Sequence, residues 1–120
     1  MTIMALTKEN FDQVIDSNDL VVIDFWAEWC VPCHSFATIY EQVANKHPEI
    51  IFGKIDTEAQ PELAAEFTIR SIPTVMILRQ KIMIFCESGL LPATALEDLV
   101  QQAMALDMEE VRKQLGEMSK

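Results

Sequence analysis

The chain has 120 residues, half of them hydrophobic, with 19 acids against 9 bases and a net charge of −10. This length and apolar content predict one domain with a single core of its own. The acidic balance excludes a nucleic-acid surface, which needs clustered cations, and no apolar run approaches the roughly 18 residues of a membrane span. The opening MTIMALTKENF has neither a basic start nor a long apolar stretch, so no secretory signal is expected and the expected compartment is the reducing cytoplasm.

In chain order, Ile3 to Leu6 reads as a short edge strand. Thr7 is predicted to cap a helix whose inner face is Phe11, Val14 and Ile15. Ser17, Asn18 and Asp19 turn the chain into an apolar strand, Leu20 to Trp26, on which Val22, Asp24 and Trp26 share one face. Cys30-Val31-Pro32-Cys33 opens a helix running to about Lys46, with Phe36, Ile39, Tyr40 and Val43 inward. A second buried strand, Ile50 to Ile55, and a short helix, Glu58 to Phe67, follow. Val75 to Leu78 is then a strand opened by Pro73, and Arg79-Gln80-Lys81 turns it into a returning strand, Ile82 to Glu87. Cys86 in that strand reads as a small core hydrophobe. Pro92 opens the last helix, whose inner face is Leu96, Leu99, Val100 and Ala103. The alternation predicts an α/β fold: a central mixed sheet with helices on its faces, joined by right-handed crossovers.

Beyond the domain, residues 1–105, a helical extension is expected over 106–120. Met104, Met108, Val111, Leu115 and Met118 repeat at spacings of four and three, like a coiled-coil seam. Two heptads leave two readings open: extra turns that dock on the domain, or a helix for self-association or a partner.

Two thiols three residues apart, where a strand hands over to a helix, read as redox chemistry more readily than as a metal site. The first turn of a helix holds unpaired N–H groups and favours an anion, so a thiolate on Cys30 is favoured there. Pro32 suits an early helical position, and Cys33 lies one turn further in on the same face. Cys30 is therefore the candidate nucleophile and Cys33 the thiol that resolves a mixed disulfide. An acid inside VVIDFW is seldom buried without a reason. Asp24 is accordingly expected to be a buried carboxyl with a raised pKa, near Cys33 and able to exchange a proton with it; a hydrogen-bonded strand-end acid is the alternative. Lys54 is either its partner across neighbouring strands or an ordinary strand-end lysine. His34 reads as an exposed helix residue, and His47 as a helix-end residue with no further role. A zinc site from Cys30, Cys33, Cys86 and a histidine lacks a second close pair.

The stretch WAEWCVPC, with an acid two residues before Trp26, closely resembles the active-site segment of the thioredoxin family. The resemblance runs from about Leu6 to about Ala105, with Lys54, Ile72-Pro73-Thr74 and Gly89 in the places of their family counterparts. It implies the thioredoxin fold with a lengthened C-terminal helix, and a protein-disulfide reductase that cycles Cys30 and Cys33 between dithiol and disulfide. It further implies that Asp24 accepts the proton of the buried cysteine and that the peptide bond before Pro73 is cis. Ile72 would then offer backbone groups to an extended substrate, within an apolar rim of Trp29, Val31, Ile72, Gly89 and Leu90. Disulfide-bearing proteins are the implied substrates and an NADPH-dependent thioredoxin reductase the implied donor, with no cofactor bound to this chain. Three departures stand out: Thr38 where the family usually has a kinking proline, no Asn-Gly at the hairpin, and Val31 where a glycine is usual. The competing reading is a binding or chaperone-like module that uses the C-terminal helix for partner contact.

Overall fold

A computed structural model describes residues 3–118. Five strands form one sheet in the order β1-β3-β2-β4-β5: β1 Ile3–Ala5, β2 Leu20–Trp26, β3 Ile51–Asp56, β4 Thr74–Arg79 and β5 Ile82–Ser88. β1 and β2 both run parallel to β3, whereas β4 is antiparallel to β2 and β5 to β4, so the sheet is mixed as expected. The helices are α1 Phe11–Ser17, α2 Val31–Asn45, α3 Pro61–Glu66, α4 Ala93–Ala105 and α5 Met108–Met118.

The alternation of β2 divides the interior into two apolar layers. Leu20 and Val22 face α2 and α4, packing on Phe36, Tyr40, Val43, Leu96 and Val100. Val21, Ile23 and Phe25 face α1 and α3, packing on Phe11, Ile15 and Leu63. Asp24 follows the period of Val22 and so points to the α2 side. Burying a large aliphatic or aromatic side chain contributes about 1.5–3 kcal/mol. The central strand, buried from Leu20 to Phe25, is thus the most firmly held platform in the molecule.

Several expectations are corrected. α1 starts at Phe11 and not beside Thr7, because Thr7 and Asn10 bond each other: the Thr7 N–H donates to Asn10 Oδ1 at 2.8 Å and the Asn10 N–H to Thr7 Oγ1 at 3.3 Å. This closes a separate turn before the helix. Cys86 is exposed rather than in the core. It pairs with Met76, but β5 is the sheet edge. His47 is buried: its ring stacks on Phe52 and its Nε2 lies 2.9 Å from the Glu97 carboxylate, tying the end of α2 to α4.

The hairpin turn is the two-residue Gln80-Lys81, with φ of 50° and 70°. This is the turn that Asn-Gly favours, built here without glycine. The Gln80 N–H donates to the Asp19 carbonyl at 2.7 Å, and Lys81 pairs with Asp16 at 3.2 Å. The helical C-terminal segment is present but in two pieces. The Arg79 guanidinium donates to the carbonyls of Ala103, Met104 and Leu106 at 2.9, 3.1 and 2.7 Å, closing the end of α4. Asp107 Oδ1 then accepts the N–H groups of Glu109 and Glu110 at 3.0 and 3.3 Å and starts α5. The break separates Met104 from the rest of the apolar seam. Met108 is buried, Val111 is half-buried and Leu115 is largely exposed, while the side chain of Met118 lies outside the described residues.

Candidate active site

Cys30 occupies the N-cap position of α2, and Pro32 lies in the first turn. The Cys33 N–H donates to Cys30 Sγ at 3.2 Å, so an orphan amide of the helix start already faces the sulfur. The two cysteines form a disulfide, the oxidised state of the pair, where a reducing compartment implies the dithiol at rest. α2 continues through Thr38 as one helix to Asn45, so the missing family proline leaves it uninterrupted.

The two cysteines, both buried, line different spaces. Cys30 lines an open groove of about 610 Å³ with Trp29, Val31, Ile69, Ile72 and the polar Thr57, Glu58, Arg70 and Ser71. Trp29 and Val31 stand 67% and 75% exposed, an unusual display of apolar surface beside a reactive group. Cys33 instead lines a cavity of about 230 Å³ that opens at the surface, shared with the buried Asp24, with Trp26 and with the exposed Glu28, His34, Ala37 and Lys54.

The far wall of the groove is the loop before β4. The Ile72–Pro73 peptide bond is cis, as the resemblance implies. The Ile72 carbonyl lies 3.8 Å from Cys30 Sγ. Thr74 Oγ1 donates to the Ser71 carbonyl at 2.5 Å and lies 3.0 Å from Ser88 Oγ. The Gly89 N–H donates to the Pro73 carbonyl at 2.8 Å, with Gly89 at φ 104°, a conformation that favours glycine. Gly89 thus supports the loop from behind, and neither it nor Leu90 lines the groove.

Asp24 is 4% exposed, and its Oδ1 has no hydrogen-bond partner among the described residues. Burial pushes its carboxyl up to about 7, with the Lys54 charge pulling the other way. Asp24 and Lys54 are direct neighbours across β2 and β3. Even so, no contact ion pair joins them among the described residues, and Lys54 Nζ sits 5.2 Å from the centre of the Trp26 ring. Lysine thus acts on Asp24 through the field, and Asp24 can be protonated or ionised near neutral pH. The Tyr40 hydroxyl, buried below, is pushed well above its usual range by burial and by Asp24; it lies 2.6 Å from the Gly53 carbonyl and 3.0 Å from that of Val22.

His34 is exposed as expected, with Nε2 2.6 Å from the Glu28 carbonyl and its ring edge-on to Trp26. Sequence reasoning missed Thr57, Glu58, Arg70 and Ser71 as groove residues, and Ser88 as a support of the loop. Among the described residues no three His, Cys, Asp or Glu side chains gather as a metal site.

A disulfide closed across the first turn of a helix, one cysteine lining an open groove and the other a cavity shared with a buried acid, defines a thiol–disulfide exchange protein. The thioredoxin family model matches residues 2–102. A putative thioredoxin 2 from Streptomyces coelicolor is 56% identical over 114 residues, covering 95% of this chain and 85% of its own. Thioredoxin C-3 from Corynebacterium nephridii is 42% identical, over 84% of this chain and 70% of its own. A mutant thioredoxin from Halobacterium salinarum superposes with a TM-score of 0.81 at 27% identity, covering 88% of this chain and 93% of its own. Chloroplastic thioredoxin z gives 0.80 at 30% identity, covering 88% and 97%. The chain belongs to the thioredoxin family, and its activity is thiol–disulfide oxidoreduction.

Proposed function

We propose that Cys30 is the attacking thiol, Cys33 the resolving thiol and Asp24 the proton acceptor of a general protein-disulfide reductase. The observation that carries this assignment is that the two cysteines line different spaces, Cys30 the groove and Cys33 the cavity shared with Asp24.

Electrons and protons balance in two steps. The Cys30 thiolate attacks one sulfur of a target disulfide, a mixed disulfide forms, and the other target sulfur leaves as a thiolate. The Asp24 carboxylate then takes the Cys33 proton, the Cys33 thiolate attacks Cys30 Sγ, and the second target sulfur leaves. Two electrons pass to the target, and the intramolecular Cys30–Cys33 disulfide remains. Negative charge on Cys30 is favoured by the start of α2. Lys54 favours the ionised form of Asp24 against the cost of its burial, and Trp29, Val31, Ile72, Pro73 and Gly89 form or brace the surface on which the target rests. An NADPH-dependent thioredoxin reductase returns the dithiol, in the cytoplasm, and residues 106–120 lie outside the chemistry as a separate extension. Among the described residues no helix is long and apolar enough to cross a membrane, which is compatible with that compartment.

Removing the second step should trap the first. Cys33→Ser incubated with a disulfide-bearing protein is expected to accumulate a covalent adduct through Cys30, seen by intact mass and released by dithiothreitol. An adduct through Cys86, or none, would contradict the assignment.

A further inference from the structure

The groove beside Cys30 carries one cation, Arg70, on the loop between α3 and β4, and one anion, Glu58, on the loop after β3. Arg70 is exposed and has no carboxylate or hydrogen-bond partner among the described residues; Lys46, Lys54, Arg112 and Lys113 also form no ion pair with an acid there, but Arg70 alone of these lines the groove. It also lies two residues before Ile72, whose carbonyl faces Cys30 Sγ. An unpaired guanidinium at the mouth of the reactive groove, in a chain of net charge −10, is an arrangement that core packing does not require.

We propose that Arg70 is a specificity residue that selects target disulfides whose cysteine has an aspartate or glutamate beside it, the carboxylate meeting Arg70 as the extended segment lies across Ile72. The inference rests on the reductase reading above and names the targets it favours.

The physics is local. At physiological ionic strength the screening length is about 8 Å. Most of the molecule's acidic charge is therefore screened from a bound target, while a charge in the groove is not. Arginine also presents a planar fork of donors that matches a carboxylate with two hydrogen bonds. Glu58, which lines the same groove, repels an acid beside it, so the preference applies where the target's acid lies nearer Arg70. Because the contact forms as the sulfurs meet, it acts on the exchange rate and on partner choice more than on fold stability.

The test uses the full chain, reduced beforehand and freed of reductant, in single-turnover exchange followed by tryptophan fluorescence. The probes are symmetric disulfide dimers of a single-cysteine peptide, with Asp or Lys placed before or after the cysteine. Each is run with wild type, Arg70→Gln and Arg70→Glu, and with uncharged hydroxyethyl disulfide. The quantity read is the Asp/Lys rate ratio in wild type divided by that in the variant, which cancels the intrinsic reactivity of each peptide and any general effect of the substitution. For one of the two placements this double ratio is expected to be about tenfold for Arg70→Glu, smaller for Arg70→Gln, and to shrink in high salt. Double ratios of one at both placements overturn the inference and leave the exchange chemistry standing. Reduced wild type that exchanges with no peptide and not with hydroxyethyl disulfide overturns the reductase reading and this inference with it.

Discussion

Asp24 is a carboxyl held in an apolar strand at a cost, and the cost depends on pH. Its folded pKa, about 7, lies above the ordinary value of 3.8, so the folded state binds the proton more tightly than the unfolded state does. Stability tied to this group is therefore full below about pH 4, falls as pH rises toward 7, and levels off above. A shift of about three units corresponds to roughly 4 kcal/mol as an upper bound. Asp24→Asn is expected to raise unfolding stability by about 2–4 kcal/mol at pH 8 and by almost nothing at pH 4, measured by urea titration at the two values. The same substitution should slow release of the target from the mixed disulfide at least tenfold at pH 7, because Cys33 loses its proton acceptor. Equal effects at both pH values would show that Asp24 does not titrate as described.

Asp24 was legible in the sequence because an acid inside VVIDFW breaks an otherwise apolar run. Cys86 was misread because an apolar run does not tell an edge strand from a central one, and only the sheet order places β5 at the rim. Arg70 and Glu58 were invisible as groove residues because they approach only when the loops around α3 fold against α2; neither lies in a local pattern.

Among the elements, the hairpin is the most informative departure. Its two residues take the left-handed conformation without glycine or asparagine, which costs about 1–2 kcal/mol per residue. Lys81→Gly should stabilise the fold by about 0.5–1 kcal/mol in thermal or urea unfolding, since the lost Lys81–Asp16 pair is exposed at both ends and contributes little. A loss of stability would show that this ion pair outweighs the backbone term. The missing Asn-Gly left the loop shape open in the sequence, and the turn proves to be the two-residue kind that Asn-Gly favours, held by contacts from Asp16 and Asp19. The division of the C-terminal helix has a local signal that the apolar repeat obscured: Asp107 followed three residues later by Glu110 is a helix start. Met108, the one fully buried residue among the described side chains of α5, anchors that helix to the domain. Met108→Ala is expected to cost about 2 kcal/mol of stability while the rate of disulfide exchange stays within twofold of wild type. A collapse of exchange would bring α5 into the active site's support.

At the level of the whole molecule, the fold serves to hold one short disulfide between two environments. The β2 platform places Asp24 beneath α2, α2 presents the cysteines, and the antiparallel return through β4 brings Ile72 and Pro73 across from them. The strand and helix order was readable from periodicity, and the cysteine pair from its position at a strand-to-helix junction. The meeting of the loop before β4 with Cys30 was readable only through family resemblance, since nothing local in Ile72-Pro73-Thr74 points to a residue some forty positions earlier. Among the described residues, none of α5 lines the groove or the cavity beside the cysteines.

The most direct measurement is the reduction of insulin disulfides with NADPH and a thioredoxin reductase as the electron source, comparing wild type with Cys30→Ser. Sustained NADPH consumption and insulin precipitation by wild type, both abolished in Cys30→Ser, are the predicted result. Equal activity in the two proteins, or none in a wild type whose reduced Cys30 and Cys33 titrate as free thiols, would contradict a general reductase working through Cys30.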